Sequence, residues 1–469
     1  MKTIQFSVIS ILFLLYSCTE QIDKQDFNSF LDEPCMIVNY EQDNTVEGEY
    51  IIVEEINIQD SSITIKMPEN FFLNNSNLSN WMIGWGNDQP LYDAGVENLR
   101  TISGIDISKK IIRLGNIVRG NGFPQINQRI VFWNQNPSGF VNKSKKPIID
   151  PKFWPEFTGK SVSFGSIEYD SILKKWIMIV NECDTSKVQI YAAMSGDLHN
   201  WEPANDGKPI LKAEDFKSCK LTSSTIATPV VSDIVRFNNK WFLFLDGFND
   251  KGKRTIGIAI SENSILGPYK ITEDPIITTG KNGAWNEEAC FYAKVKKHKE
   301  GFILFYDGKN KEGLERIGMA TSFDLISWTE SANNPIIEQH TGWRSAIGTS
   351  EPCNIEIKGD SIQLMIAGAK EFKMGAWHHY ITKRMYMDKS GNVNDTQLGI
   401  YLSTDGGKTF TAHKNNPVFT NDYSNISEND HLGGNLKLIK TDSLDYLFYQ
   451  GKSSSDGLKY NIMLRERKH

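Results

Sequence analysis

Three carboxylate-bearing segments stand at similar points along the second half of the chain, and they are the residues best suited to acid–base chemistry. Glu288 lies in WNEEACFYAKV and Glu351 in SEPCNIEI, while Asp430, followed by His431, lies in ENDHLGGN. Each segment leads into a strand-like run, so we expect the three acids at one level of three repeated units. A protonated and an ionised carboxyl at about 5 to 9.5 Å can act as general acid and base.

The elements that would position these acids form a repeat of roughly 60 residues, and a repeat of that length made of short strands is typical of a β-propeller. Each unit has an apolar middle strand and then a second strand, which in four units is followed by a turn with a large aromatic residue. The middle strands are KKWIMIV, WFLFLDG, GFILFYDG, IQLMIAG and DYLFYQG. Four units end on Pro and apolar residues, at Pro209, Pro275, Pro335 and Pro417.

We therefore predict an all-β chain with a five-bladed β-propeller, preceded by a small β-rich N-terminal module. The last unit lacks its outer strand, and the KPII at Pro147 could supply it, so that strands from both ends of the chain close the ring. The run RIVFWNQNPSGFVNKSKKPII from Arg129 also resembles the second half of a blade, which leaves six blades as an alternative.

The amino-acid composition limits the classes of molecule that we expect this chain to bind. The chain has 469 residues, 39% of them hydrophobic, which is enough for a large core and two to three domains. Its net charge of −6 comes without a long basic run, so nucleic acid is not an expected partner. The aromatic share of 11% favours carbohydrate weakly, since propeller blades also use aromatics for packing. We expect a monomer.

The N-terminal sequence is typical of an export signal. An apolar run from Ile4 to Tyr16 is too short to span a membrane as a mature helix, and it ends at Cys18 in a sequence that resembles a bacterial lipobox. We expect lipidation of Cys18 and a location in the bacterial cell envelope, anchored by lipid to the outer membrane on its periplasmic or surface face. The predicted regions are signal peptide 1–17, tether 18–34, N-terminal module 35–140 and propeller domain 141–469.

Five cysteines remain after Cys18, an odd number without a zinc-site spacing. Cys290 and Cys353 are predicted as small core residues, and Cys183 with Cys219 could form a disulfide.

A family resemblance rests on the DLxxW turns at Asp197–Trp201 and Asp324–Trp328, the NPII closure and the middle strands. From about Lys146 onward the chain resembles the five-bladed glycosidases of the arabinanase and β-xylosidase families, with their invertase and levansucrase relatives. The resemblance implies a general acid on the first strand of the third blade, which falls on Glu288. It implies no required cofactor, a structural Ca²⁺ as an option, and a channel-facing histidine, here His431.

The chain differs from this family in the residues expected to include the catalytic base. The resemblance implies acidic residues in the first two blades, yet FTGKSVSFGS and SSTIATPVV contain none. Asp150 in IIDP and Asp88 in WGNDQP are substitutes to consider, whereas we interpret Asp233 as a solvent-facing turn residue. Glu351 and Asp430 stay the candidates for base or tuning group.

Aromatic and basic residues near these acids are predicted to bind sugar, because aromatic faces stack on the apolar faces of sugar rings and arginine pairs with uronates or hydroxyls. The alternative for any one tryptophan is core packing. An insertion between Gly368 and Leu398 is expected to overhang one mouth of the channel. The predicted substrate-binding residues are Trp285, Trp343, Arg344, Trp377, His378 and His431.

The resemblance thus predicts an exported glycosidase that hydrolyses plant or algal oligo- or polysaccharides with Glu288 as acid. One alternative is a non-catalytic carbohydrate-binding lipoprotein of a polysaccharide-uptake system, and another is a scaffold for protein partners. The turn STDGGKTF resembles the Asp-box of sialidases, a structural hairpin, and sialidase activity is a minor alternative.

Overall fold

The computed structural model describes residues 140–468 except 143, 145, 184–188, 217–218, 222–228, 339–349, 374–391, 414–415, 417, 420–430 and 453–459. It also describes eight strands between residues 50 and 134, by their backbone only. Backbone alone is described at 350, 369–373, 392–395, 431, 433–434 and 452. The predicted signal peptide, Cys18, the tether and Asp88 lie outside the described residues.

The described chain is all-β, as predicted. Its only other elements in that part are two short 3-10 helices, Asn205–Gly207 and Ala213–Phe216. Among the described residues, no helix has the length and apolar character needed to cross a membrane.

Eight strands precede residue 140. They are β1 Tyr50–Ile52, β2 Glu55–Gln59, β3 Ser62–Lys66, β4 Trp81–Gly86, β5 Arg100–Thr101, β6 Gly104–Asp106, β7 Ile111–Leu114 and β8 Arg129–Asn134. The runs EYIIVEEINI and SSITIKM provide the first three of these strands. The eight strands form two four-stranded sheets, with orders β1-β8-β4-β5 and β2-β3-β7-β6.

The remaining strands form five units in chain order, and each unit is an antiparallel meander. Unit 1 has β9 Ser161–Asp170, β10 Lys175–Cys183, β11 Ile190–Ser195 and β12 Trp201–Pro203. Unit 2 has β13 Val230–Phe237, β14 Lys240–Phe248, β15 Arg254–Ser261 and β16 Lys270–Ile271. Unit 3 has β17 Ala289–His298, β18 Gly301–Lys309, β19 Glu315–Ser322 and β20 Thr329–Glu330. Unit 4 has β21 Ser350–Lys358, β22 Ser361–Lys373, β23 Asn392–Ser403 and β24 Thr411–Ala412. Unit 5 has β25 His431–Lys440, β26 Leu444–Lys452 and β27 Tyr460–Lys468.

The first strands of the units contact one another in a closed cycle, β9 to β13, β17, β21, β25 and back to β9. Each first strand carries a bulge against its middle strand at or next to the same level. The residues left without a register partner are Gly165, Ser232, Tyr292 with Ala293, Cys353, and residues 433–435.

Both faces of the sheets are buried, which explains the nearly continuous apolar runs of the middle strands. In KWIMIV, Ile177 and Ile179 pack with Leu243 of unit 2, whereas Met178 and Val180 pack on the other face with unit 5. Corresponding clusters lie between units 2 and 3, 3 and 4, and 4 and 5.

The Pro-plus-apolar closures pair with the third strands of their units, through bridges such as Ile256 to Ile277 and Ile317 to Ile337. The corresponding segment after Pro147 pairs with the last strand instead. The backbone N–H of Ile148 donates to Ile462 O at 2.9 Å, and Ile149 bridges Ile462. The predicted pairing of the two chain ends is thus present.

The aromatic turns are built on one hydrogen-bond pattern. In unit 3, Ser322 Oγ accepts the N–H of Leu325, and Asp324 Oδ1 accepts the N–H groups of Ile326 and Ser327. The indole N–H of Trp328 donates to Leu325 O at 3.1 Å. The turns at Asp197 and Asp405 repeat the Ser–Asp part of this pattern.

Replacing Asp324 with alanine should lower the melting temperature near neutral pH. The N–H groups of Ser327 and Ile326 and the hydroxyl of Ser322 hold the pKa of Asp324 below its usual value. A lowered folded-state pKa stabilises the protein above about pH 4, the ordinary range for aspartate, and this contribution fades as the pH falls below it. The difference in melting temperature between Asp324→Ala and the parent should therefore be smaller at about pH 3 than at about pH 7, as measured by thermal unfolding.

The matched control is Glu262→Ala, which removes an exposed surface pair with Lys240 and should change the melting temperature little. Equal melting of Asp324→Ala and the parent near pH 7 would contradict this role of the turn.

Candidate functional site

A polar ring occupies one level of the five first strands. Each member pairs with the middle-strand residue two positions before Asp246 in unit 2, before Asp307 in unit 3, or before the corresponding residue of the other units. Sequence reasoning missed it because the bulges displace these residues from simple alternation. The polar ring consists of Ser166, Asp233, Lys294, Asn354 and Lys437.

Lys294 is the most enclosed cation of this ring, with 4% of the residue exposed. Its Nζ donates to the bulge carbonyl of Ser232 at 2.5 Å and to that of Gly165 at 3.4 Å. One unit 3 side chain therefore ties together the bulges of units 1 and 2. Burial lowers the pKa of Lys294, and the nearby carboxylate of Asp233 opposes that effect.

Asp233 is a member of the ring, so our interpretation of it as a solvent-facing turn residue is wrong. It is 4% exposed and accepts hydrogen bonds from Ser166 Oγ at 2.7 Å and from the N–H of Val295 at 2.9 Å. The extra residue at the bulge, Ser232, turns Asp233 toward the neighbouring first strands. Asp233 thus links units 1, 2 and 3.

Lys437 completes the link between units 5 and 1, with its Nζ 2.9 Å from Glu168 Oε1. Burial disfavours its charge, yet the carboxylates of Glu168 and Asp233 raise the pKa of Lys437 to about 12. Charged side chains therefore fill the centre of the cycle at this level, and any ligand site around the axis must lie toward the ends of the strands.

Glu288 stands at one such end, directly before β17. Its N–H donates to Lys309 O at 2.9 Å, and its carbonyl accepts the N–H of Arg254 at 3.4 Å. The side chain is 40% exposed, and Lys253 Nζ lies 2.5 Å from Glu288 Oε1. The strand start thus fixes the backbone of Glu288 and leaves its carboxylate accessible to a ligand.

The residues just before Glu288 are structural. Glu287 is buried, and its Oε2 accepts the N–H of Gly283 at 2.8 Å, which closes the preceding turn. The indole of Trp285 packs on β18 and β19, where a Cβ at Gly308 or Gly318 would come within 2.2 or 2.6 Å of it. Trp285, predicted to bind sugar, therefore lies against the second and third strands and not over the first.

Arg254, whose N–H donates to the carbonyl of Glu288, also forms an ion pair with the buried Asp246 and lies close to a strained tyrosine. Arg254 Nε donates to Asp246 Oδ2 at 2.7 Å, and the guanidinium carbon of Arg254 is 5.0 Å from the ring centre of Tyr292. Tyr292 has φ of 52°, an unfavourable backbone conformation for a bulky residue, and its N–H donates to Asp246 Oδ1 at 3.2 Å. Burial raises the pKa of Tyr292 well above its usual value, with Glu351 the next contributor.

Glu351 is not at the level of Glu288, so the equivalence that we predicted between them is wrong. Glu351 pairs with Ala367, whereas Ala289, one residue after Glu288, pairs with Lys309. Ala367 in the middle strand IQLMIAG occupies the position that Asp246 has in WFLFLDG. Glu351 therefore lies three residues further along its strand than Glu288 does. The bulges do not cause this offset, because the first strands of units 3 and 4 each carry one residue more than the middle strand opposite them.

At its actual level, Glu351 joins a series of contacts between neighbouring units. Asn181 Oδ1 accepts the N–H of Val231 at 2.7 Å, as Asp246 does from unit 3. Unit 4 has Ala367 at that middle-strand position, and Glu351 Oε2 instead accepts the N–H of Asn435 in unit 5 at 3.1 Å. Glu351 therefore has an evident structural role in linking units 4 and 5.

Sequence reasoning also missed two buried acids, Glu315 and Glu182. Burial raises the pKa of Glu315, which lies 3.3 Å from Lys309 Nζ and interacts with Asp307. In unit 1, Glu182 Oε1 accepts the N–H groups of Thr158 and Gly159 at 2.5 and 2.7 Å. The signal for Glu182 in the sequence is its place directly after Asn181 at the end of the apolar run WIMIV, whereas Glu315 opens the third strand of unit 3.

Several predicted residues lie outside the description. Asp430, Trp343, Arg344, Trp377 and His378 are not among the described residues, and His431 is described by backbone only. His431 pairs with Lys452, which corresponds to the pairing of Ala289 with Lys309. In the chain, Asp430 precedes His431 as Glu288 precedes Ala289.

Asp150, one of the two substitutes considered for the missing base, lies at the outer edge of unit 5. Asp150 Oδ1 accepts the N–H of Lys152 at 2.8 Å, in a segment that pairs with the outermost strand of unit 5. At the level of Glu288, unit 1 has Lys160, whose N–H donates to Cys183 O at 3.2 Å. The first unit therefore has a lysine where a carboxylate was sought.

The described cysteines, Cys183, Cys219, Cys290 and Cys353, are all free, so the disulfide considered between the first two is absent. Cys290 and Cys353 are buried, as predicted. Within the described part of the chain, no three His, Cys, Asp or Glu residues are grouped to hold a metal ion.

No family model and no curated protein matches the chain. Among solved structures, it is similar to a glycoside hydrolase at 17% identity and TM-score 0.48, over 69% of this chain and 92% of that one. A thermostable family-43 glycoside hydrolase is 12% identical with TM-score 0.48, over 67% and 95%. A glycosyl hydrolase from Bacteroides ovatus is 15% identical with TM-score 0.46, over 70% and 93%. These overlaps are loose, so the reasons for a function have to come from this chain's own residues.

The Glu351 contact predicts a contrast between two variants. Glu351→Ala removes the acceptor for Asn435 and should lower the free energy of unfolding by about 1–3 kcal/mol. Glu351→Gln keeps an acceptor oxygen and should lose much less. Denaturant unfolding monitored by tryptophan fluorescence would measure both, and equal losses would contradict the contact.

Proposed function

We propose that this protein is a glycoside hydrolase on a five-bladed β-propeller, with units 1–5 as its blades. The cycle of first strands and the pairing of Ile149 with β27 support five blades closed by both chain ends. The proposed site is at the end of the cycle where the first strands begin. The observation that carries the proposal is Glu288, a backbone-fixed yet accessible carboxylate at that end.

In the proposed reaction Glu288 is the general acid, and its carboxyl proton passes to the glycosidic oxygen as the bond from that oxygen to the anomeric carbon breaks. A water attacks the anomeric carbon and gives its proton to a carboxylate base. Lys253 pairs with Glu288 and would help to orient it. We propose that substrate enters beside this pair.

Asp430 is our preferred base, with Glu351 second. Asp430 precedes the first strand of unit 5 as Glu288 precedes that of unit 3, and one oxygen of Glu351 already accepts the N–H of Asn435. The remaining predicted sugar contacts are Trp343, Arg344, Trp377, His378 and His431, and Tyr292 is added to them. Its strained backbone, four residues after Glu288 in the chain, is typical of residues in functional sites.

The substrate that we propose is a plant or algal oligo- or polysaccharide. We further propose that the chain acts as a monomer in the bacterial cell envelope, anchored through a lipid on Cys18. The apolar run before Cys18 supports export, and lipid attachment would hold the domain at a membrane without inserting it.

One observation favours a second candidate, a non-catalytic carbohydrate-binding lipoprotein. Lys160 stands at the level of Glu288 in unit 1, and its N–H makes the corresponding backbone hydrogen bond. A chain that had lost its first-blade acid could keep a sugar site without turnover. In that case Glu288 would contact sugar but transfer no proton.

The deciding experiment measures product release by the full-length protein from a panel of plant and algal oligosaccharides. Glu288→Gln should lower kcat by about 10²- to 10⁴-fold, the usual contribution of a general acid, and change KM much less. The control is Glu312→Gln, in an exposed turn of the same unit, which should keep kcat within about twofold of the parent.

Product from the parent and the control but not from Glu288→Gln would establish hydrolysis and identify the sugar. Equal rates in Glu288→Gln and the parent would exclude Glu288 as the acid. Absence of product from every protein, with a glycan that raises the melting temperature, would favour the binding module.

A further inference from the structure

The ammonium group of Lys294 places a positive charge at the centre of the cycle of first strands. The bulge carbonyls of Gly165 and Ser232 both accept hydrogen bonds from Lys294 Nζ, at 3.4 and 2.5 Å. These carbonyls belong to two different units, and the lysine belongs to a third. Backbone oxygens that converge from separate strands concentrate negative partial charge, which a positive group must balance when water is excluded.

The charged groups around Lys294 are mixed. Asp233 attracts its ammonium, Lys437 repels it, and Glu351 contributes a weaker attraction. Lys437 is itself paired with Glu168 at 2.9 Å. The neighbourhood therefore holds two lysines and three carboxylates, and the charges of these side chains nearly balance.

A structural Ca²⁺, which the family resemblance left as an option, does not fit this ring. Ca²⁺ takes about six to eight oxygen ligands at about 2.3–2.6 Å. Here Lys294 already occupies the two bulge carbonyls, and Asp233 accepts Ser166 Oγ at one oxygen and the N–H of Val295 at the other. A divalent ion placed there would also face two lysine side chains.

We propose that the Lys294 side chain serves as the central cation of this fold, so that the centre of the first-strand cycle, at the level of the described polar ring, binds no calcium or other metal ion. The lysine lies on the same bulge as Tyr292, two residues away, and joins it to the bulges of units 1 and 2. Its role is to position the first strands. It is not a catalytic residue.

The first test uses the full-length parent protein. Metal content after dialysis, measured by plasma emission spectrometry, should be far below one ion per chain. The melting temperature should change by less than about 1 °C with EDTA or with millimolar Ca²⁺. One bound Ca²⁺ per chain, or a loss of several degrees in EDTA, would overturn the proposal.

The second test removes the cation. Lys294→Ala should melt about 5 °C or more below the parent, because the carbonyls and Asp233 lose their positive partner. Potassium, ammonium or methylammonium ions should then restore part of this loss by binding in its place. The matched control is Lys296→Ala, an exposed lysine of the same strand, which should melt like the parent and show no such response.

A folded Lys294→Ala protein that melts like the Lys296→Ala control, or that no cation stabilises beyond that control, would overturn the proposal. If Lys294→Ala does not fold, the metal content and EDTA response of the parent decide it. None of these readouts depends on hydrolysis, so failure of the proposed enzymatic function would leave this test intact.

Discussion

Five strands can meet around one axis only if each bends where it comes closest to its neighbours, and the bulges of the first strands provide that bend. At Gly165 a side chain is excluded, because a Cβ there would lie 2.8 Å from Ile179 O and 3.3 Å from Val231 O. A bulge also frees backbone carbonyls from the strand ladder, and buried carbonyls need donors. Lys294 provides donors to two of them. This contact fixes the bulge that carries Tyr292, and the strand pairing before the bulge then fixes the start of β17, where Glu288 lies.

The apolar clusters and the polar ring contribute differently to the fold. Each fully buried Ile, Leu or Phe stabilises the folded state by about 1.5–3 kcal/mol, and each of the five clusters contains several such residues from two adjacent units. A net hydrogen bond contributes only about 1 kcal/mol. The clusters therefore provide most of the stability, but apolar packing alone tolerates a strand that slips along its neighbour. The ring and the contacts of Asn181, Asp246 and Glu351 would leave buried polar groups unpaired after a slip, so they fix the register.

The same division explains how much the sequence could predict. Repeated apolar runs, Ser–Asp turns and Pro closures report on local structure, and the strands of all five units and the pairing after Pro147 could be predicted from them. Bulge length could not, because it depends on how neighbouring strands meet. One extra residue at Ser232 turns Asp233 inward, and Tyr292 with Ala293, opposite Tyr306 alone, gives unit 3 the same net excess of one residue. Lys294 and Tyr292 could therefore not be assigned from alternation, whereas Glu351 differs in level from Glu288 because it lies three residues further along its own first strand.

The register has a consequence for the chemistry that we propose. Glu351, in the unit next to that of Glu288, is committed to a contact that links units 4 and 5. A base that does not disturb this contact has to come from another unit, and the level that corresponds to Glu288 recurs in unit 5 at the start of β25. Units 3 and 5 are not neighbours in the cycle, so an acid and a base placed on them would face each other across the mouth. If the two carboxyls were about 6.5–9.5 Å apart, a water would fit between base and sugar, which is the arrangement that inversion of configuration requires.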